Sequence, residues 1–373
     1  LRFDDDLLRN VFALPVHFGH YFDNLLSNWN LLMSKITMNA IANAAGVGVA
    51  TVDRVLNRRA PVRAATEQKV LEAANRLGYR MAPVMPVSAE SQSAHVTLRM
   101  GFVLLSKSYS FYHSLTDALR QQTQPLHPAG SEPRFYWHDI DDVAAVVASL
   151  HKLAQEVDVI GLVALDHPLI RHAIEQISRQ GVRVYALFSN FSPCGHAGYF
   201  GLDNQKAGRT AGWVASHLLH QPGSVGVLVG DHRFTCQESC EISFRSYLRE
   251  QDSTRRVLEP LKTHESIDGG YHATRQLLEE HADLALIYAP CGGIEGVIHA
   301  LRQQPQRKVA LICHGPVKEG ELALIDGTIT VMIRHEIEEM VRQFVRTTQQ
   351  TVESGEHFSQ VTLPFEIITR ENL

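Results

Sequence analysis

Residues 36–80 read ITMNAIANAAGVGVATVDRVLNRRAPVRAATEQKVLEAANRLGYR, and the folding of this stretch decides what kind of chain it belongs to. Thr37 is placed to cap a first helix over Asn39–Ala45, and Gly46 offers the turn. Val49–Leu56 reads as a second short helix, and Thr66–Leu77 as a third that Gly78 ends. Ile41, Ala45, Val47, Val52, Val55, Val70, Leu71 and Ala74 supply apolar faces for a three-helix core. The small pair Ala44–Ala45 with Gly46 permits the close crossing of a helix-turn-helix. In such a unit the second helix meets base edges with its first residues, here Val49, Ala50 and Asp53, with Arg54 one turn along.

Charge follows the same boundary. Between Lys35 and Arg80 there are eight basic residues against three acidic ones, a net of +5, whereas the whole chain of 373 residues carries −5, so the remainder carries −10. A small basic segment on an acidic body suits a nucleic-acid reader attached to a domain with another task, because Lys and Arg neutralise phosphates and release counterions.

From Arg99 onward, apolar runs recur at Met100–Leu105, Val159–Leu165, Val182–Phe188, Val225–Val229, Leu284–Tyr288, Val309–Cys313 and Ile329–Ile333. Polar-faced spans of helical period separate them: 141–156, 167–180, 204–220, 238–251, 271–281 and 295–303. Near-continuous apolar strands alternating with helices predict a doubly wound α/β body with a parallel sheet covered on both faces. Its length, about 275 residues, exceeds what one such domain needs. There is no GxGxxG after a strand, no GxxxxGK[ST] and no GxSxG elbow, so neither a cofactor nor a nucleophile motif is expected. Ligands of such sheets bind in crevices at the carboxyl ends of the strands.

Composition is that of a globular protein, 45% hydrophobic and 20% charged. The stretch Leu7–Leu32 mixes apolar residues with Arg9, His17 and Asp23, which fits neither a spanning helix nor a signal peptide. A cytoplasmic location is expected. The five cysteines, Cys194, Cys236, Cys240, Cys291 and Cys313, are read as reduced thiols. Cys236-x3-Cys240 has no second pair at metal-ligand spacing, and no metal is expected. Residues 1–34, with Asp at 4–6, precede the helical unit and read as an extension of unknown role.

The stretch 36–80 resembles the DNA-binding headpiece of the lactose/galactose-repressor (LacI/GalR) family of bacterial regulators, through AxxAGV, ATVxRVLN, the TxxKV run and the LGY ending. The resemblance implies that Val49 and Ala50 read bases, that Arg54 contacts a base or phosphate, and that Thr37, Thr51, Asn57 and Thr66 anchor phosphates, with Arg63 in the same basic surface. Two residues depart from the pattern. Gly48 stands where a Ser usually caps the recognition helix. Asp53 replaces another Ser and carries either a cytosine-amino contact or an internal salt bridge. In the linker, 81–96, the family forms a hinge helix that wedges a Leu into the minor groove; Pro83 and Pro86 oppose a regular helix there.

Behind the headpiece, 97–373 looks like the two-lobed periplasmic-sugar-binding-protein fold that this family carries. The motifs are FYHSLTDALR, VALDHPLI, FGLDNQKAGRTAG, ESCEISFRSYL, GGIEGVIHALR and TITVMIRHEIEEM. The resemblance implies one lobe of 97–200 plus 336–352, another of 204–333 plus 353–373, and a small effector between them. The implied effector contacts are Tyr109, Phe111, Tyr112, Asp166, His167, Phe191, Arg233, Cys240, Cys291, His314 and Arg334. Cys240 replaces an Arg that clamps hydroxyls, Pro290–Cys291 an Asn–Asp, and His314 an Asp. With Arg233 and Arg334 present, the expected cleft is cationic and aromatic, suited to a sugar acid, sugar phosphate or modified polyol.

The expected function is a dimeric regulator, commonly a repressor of a carbohydrate or related catabolic operon, whose headpieces read two half-sites of operator DNA. Its cleft ligand shifts the population of DNA-competent states. A free-standing small-molecule sensor is the alternative. Catalysis by Cys240 or Cys291 with a histidine lacks an orienting carboxylate and oxyanion donors in the local sequence.

Overall fold

The computed structural model describes residues 38–56, 62, 66, 69–70, 73–74, 97–106, 110–220, 222–252, 254–355 and 358–373. The chain divides into two compact units, Leu1–Ser91 and Gln92–Leu373.

In the first unit, helix α1 spans Met38–Ala45 and α2 spans Val49–Leu56. Residues 66, 69–70 and 73–74 are also helical. Gly46 ends α1 at φ +65°, a conformation that costs a side-chain-bearing residue about 1 kcal/mol or more. There Val47 N donates to Ala42 O at 3.0 Å, and Gly46 N to Asn43 O at 3.4 Å. These are the paired bonds of a Schellman stop, which satisfy carbonyls that the helix end would orphan. Ile41, Ala42, Val52, Val55, Val70, Ala73 and Ala74 form the core.

The second unit has two six-stranded sheets. In the first lobe, in chain order, are β1 (Met100–Leu105), α3 (Ser110–Thr123), β2 (Arg134–His138), α4 (Val143–Ala154), β3 (Val159–Leu162), α5 (Pro168–Arg179), β4 (Arg183–Leu187) and β5 (Gly198–Leu202). The chain crosses at Asp203 to the second lobe: α6 (Asn204–Leu218), β6 (Ser224–Val229), α7 (Thr235–Gln251), β7 (Leu261–Lys262), α8 (Ile267–Glu280), β8 (Leu284–Ala289), α9 (Ile294–Arg302), β9 (Ala310–Gly315), α10 (Gly320–Ile325) and β10 (Val331–His335). It returns at Glu336 for α11 (Ile337–Ser354) and β11 (Ser359–Leu363), then crosses at Pro364 to β12 (Phe365–Ile368).

The sheet orders are β11-β5-β4-β3-β1-β2 and β12-β10-β9-β8-β6-β7. All neighbours are parallel except β12, which runs antiparallel to β10. The last crossover corrects the expected lobe boundary: β11 pairs with β5, Val361 opposite Phe200. Residues 359–363 therefore belong to the first lobe rather than to a second-lobe segment 353–373.

Both sheets reverse strand order beside their first strand, at β1/β3 and at β6/β8, so both topological switch points face the same interlobe space. In the first lobe α11 covers the sheet through Phe344. Its ring lies 6.0, 5.7 and 5.3 Å from those of Phe102, Tyr185 and Phe200. Among the described residues, no helix is long and apolar enough to cross a membrane.

Candidate functional site

In the first unit, Val49 is 41% exposed at the start of α2, Arg54 is exposed and Thr51 and Thr66 half-buried. Val52 and Val55 of the same helix are buried. The helix therefore buries one side and offers the other, with an apolar residue in its first turn and a cation in its last, as a groove-reading helix requires. Thr37, Asn57, Arg63 and Tyr109, and the side chains of Ala50 and Asp53, lie outside the described residues, as does the linker.

In the second unit a cavity lies between the lobes, where ligands of such sheets bind. The wall is built from the carboxyl ends of the strands and the loops and helix starts that follow them. The first lobe contributes Phe111 and Tyr112 of α3, Val163 after β3, and Phe188 and Ser189 after β4. The second contributes Asn204, then Phe234, Cys236, Gln237 and Cys240 after β6, and Glu265 after β7. The turn Pro290–Glu295, the segment His314–Val317 and His335 complete it.

Phe111, Tyr112, Cys240, Cys291 and His314, all expected at the site, are on this wall. Phe111 meets Phe188 edge-on at 4.9 Å and His335 at 6.0 Å. His314 Nε2 is 3.1 Å from the Tyr288 hydroxyl. Burial, reinforced by the neighbouring His335, drives the His314 imidazole well below its ordinary pKa. Burial brings His335 down to about 4. Both rings are therefore neutral at physiological pH. Burial likewise pushes the Cys236 thiol up to about 12 and the Cys240 and Cys291 thiols upward, so all three are protonated.

Asp166, His167, Phe191, Arg233 and Arg334 do not line the cavity, which corrects the expected cationic clamp. Arg334 turns outward to Glu336 and to Glu366. Phe191 is buried in the first-lobe core against His196. His167 caps α5, accepting from Leu169 N at 3.2 Å. Asp166 is held by Arg171 at 2.8 Å and by the Ser192 hydroxyl at 2.6 Å.

Arg233 binds Asp231 through Nε at 2.8 Å and reaches Asp141 of the other lobe at 3.3 Å. Its carbonyl accepts from Asp166 N at 2.9 Å, and nearby Thr235 Oγ1 donates to Asn190 O at 2.7 Å. Arg233 and Asp166 thus help clasp the lobes at the rim.

Sequence reasoning missed Phe188, Gln237, Glu265 and His335. Gln237 could have been found, since it lies one helical turn before Cys240. Phe188 and Glu265 reach the wall through positive φ angles of 62° and 57°, which no sequence pattern announces for non-glycine residues.

A two-lobed small-molecule-binding body carried on one chain with a helix-turn-helix unit defines a ligand-responsive DNA-binding protein. The family comparisons agree: residues 100–356 match the periplasmic binding protein domain, and residues 37–81 match the bacterial regulatory proteins, lacI family. The chain belongs to the periplasmic binding protein domain family and is a transcription regulator of the lacI type. It is 25% identical over 259 residues to the HTH-type transcriptional regulator GalS of Salmonella typhimurium, covering 68% of this chain and 71% of that one. It is 23% identical over 254 residues to the regulator DegA of Bacillus subtilis, covering 68% and 72%. Among solved structures, GanP, a glucose-galactose binding protein from Geobacillus stearothermophilus, superposes with a TM-score of 0.65 at 18% identity, over 74% of this chain and 99% of that one.

Proposed function

We propose that this regulator is a cytoplasmic homodimeric repressor of a carbohydrate or related catabolic operon, released from operator DNA when a carbohydrate-class effector occupies the interlobe cavity. The observation that carries the reading is a cavity at both topological switch points, walled by rings and hydrogen-bonding groups, on a chain whose basic segment 35–80 holds a helix-turn-helix unit. Aromatic faces stack on the apolar faces of sugar rings, while a few placed polar groups fix orientation. The likeness in fold to a glucose-galactose binding protein is in line with the same effector class. Burial pushes the wall thiols toward the protonated form, which makes them poor nucleophiles.

The test is selection of operator sequences from random duplex DNA by the full chain, followed by anisotropy titrations with and without sugars. Specific binding with a steep salt dependence, relieved by a sugar, is expected. Binding without sequence preference rejects the regulator reading in favour of a free-standing sensor.

A further inference from the structure

Glu265 is the buried carboxyl on the cavity wall, 6% exposed. It follows β7 and sits at φ +57°, directly after His264 at φ +51°. Two consecutive side-chain-bearing residues in the left-handed region are a costly way to build a loop, and such strain persists where the surroundings fix it for a purpose. Those surroundings include two glycines: a Cβ at Gly230 or at Gly292 would run into the Glu265 carboxyl.

The hydrogen bonds give the carboxyl a direction. Gly230 N donates to Gln237 Oε1 at 2.6 Å, which turns the Gln237 amide so that its Nε2 donates to Glu265 Oε1 at 2.8 Å. Gly292 N donates to the same Oε1 at 3.0 Å. Among the described residues no hydrogen bond reaches Oε2, and Glu265 has no Lys or Arg partner. No Lys or Arg is found among the described residues of the cavity wall either. Burial pushes the carboxyl upward against the pull of Gly292 N and Gln237, as expected of a group still short of donors.

We propose that Glu265 is the specificity-determining residue of the cleft: through Oε2 it accepts hydrogen bonds from an uncharged, hydroxyl-bearing ring, and it shuts out acids and phosphates. This rests on the effector reading above and reverses the anionic effector that Arg233 and Arg334 suggested. The two N–H donors at Oε1 favour the ionised carboxylate against its burial, and a ligand hydroxyl that donates to the free Oε2 adds a third. A ligand carboxylate or phosphate would set a second negative charge beside it, with no cation among the described wall residues to offset either. Like charges about 4 Å apart at a protein effective dielectric lose at least about 100-fold in affinity.

The experiment is calorimetric titration of the full chain with D-glucose, D-galactose and myo-inositol, and with D-gluconate, D-galacturonate and D-glucose 6-phosphate. Operator binding is measured on the same preparation. Wild type should bind at least one neutral compound and prefer it to its acid or phosphate by about 100-fold. In Glu265→Gln, Gly292 N and Gln237 Nε2 still face an oxygen, so the amide NH2 points into the cavity in place of Oε2. The neutral ligand should then weaken about tenfold or more and the preference over anions should collapse. An acid or phosphate that binds wild type as well as its neutral counterpart overturns the assignment, as does binding of no neutral compound, and both are read without any variant. Unchanged selectivity in a folded Glu265→Gln also overturns it. Loss of the regulator reading would appear separately, as absent operator specificity.

Discussion

Asp231→Asn should destabilise the rim of the second lobe, which holds Arg233 in place for the clasp, by an amount the structure allows to be worked out. The Asp231 side chain is 4% exposed and lies just past β6. It accepts from Arg233 N at 2.9 Å, Arg233 Nε at 2.8 Å, Arg233 Nη2 at 3.2 Å and Lys262 Nζ at 2.9 Å. Asn retains Oδ1 for the first two bonds. At Oδ2 it places an amide NH2 against the Arg233 Nη2 and Lys262 Nζ donors, so two charge-assisted bonds are replaced by donor–donor contacts. Hydrogen bonds to charged groups contribute about 1.5–3 kcal/mol each. Arg233 and Lys262 are 41% and 43% exposed, so solvent screening favours the low end, and the pair of losses comes to about 2–3 kcal/mol. For a unit of this size that is about 4–6 °C in Tm, read by scanning calorimetry at pH 7.

The pH dependence supplies a second arm. Burial alone would push the Asp231 carboxyl up, but the Arg233 guanidinium and backbone N–H with the Lys262 ammonium outweigh it and hold the group well below the usual carboxylate range. A depressed folded-state pKa contributes stability that is fully present above the unfolded value, about 3.9, and is lost as pH falls toward the folded value. The gap between wild type and Asp231→Asn should be constant above about pH 5 and narrow below about pH 4. A Tm change under about 1 °C at pH 7, or a gap that widens in acid, would refute the reasoning.

Three further outcomes are expected. Phe344→Ala empties the meeting point of Phe102, Tyr185 and Phe200 and should cost about 3–5 kcal/mol in chemical denaturation. Arg334→Ala removes only the half-exposed pairs with Glu336 and Glu366; it should change stability by less than about 1 kcal/mol and leave effector affinity within about twofold in calorimetry. Arg54→Ala takes an exposed cation from α2 and should weaken operator binding; if its contact is a phosphate, the log–log salt slope should fall by about one.

The local parts of this fold were legible because they are periodic. The bounds of α2 and β1 coincide with the apolar patterns at Val49–Leu56 and Met100–Leu105. What escaped depends on pairing at long range. β2, Arg134–His138, is a half-exposed edge strand of aromatic and basic residues that lacks the continuous aliphatic run of the buried strands, and β11 joins the first lobe only by lying beside β5. At the site, Phe111, Tyr112, Cys240, Cys291 and His314 lie on the wall as expected, whereas Arg233 and Arg334, also expected there, lie off it. A long side chain goes where its counter-charge is, and both arginines carry an acid two residues away, Asp231 before Arg233 and Glu336 after Arg334. The patterns DHR and RHE in the sequence are the signal that would have turned both away from the cavity.

The division of the wall between the lobes bears on how a ligand could act at a distance. The first lobe brings Phe111, Tyr112 and Phe188, while the second brings Glu265, Gln237 and His314. A ring that stacks on one set and hydrogen-bonds the other has its full complement of contacts only when the lobes are together, and a ligand shifts an equilibrium only by such differential affinity. The clasp of Arg233, Asp141, Asp166 and Thr235 already favours the same arrangement at the rim, so less of the shift is left for the ligand to supply. Moving a population from 1:99 to 99:1 takes about 5.5 kcal/mol of differential binding. A variant with a weakened clasp should therefore bind its effector more weakly and respond only at higher effector concentrations, even though none of the clasp residues lines the cavity.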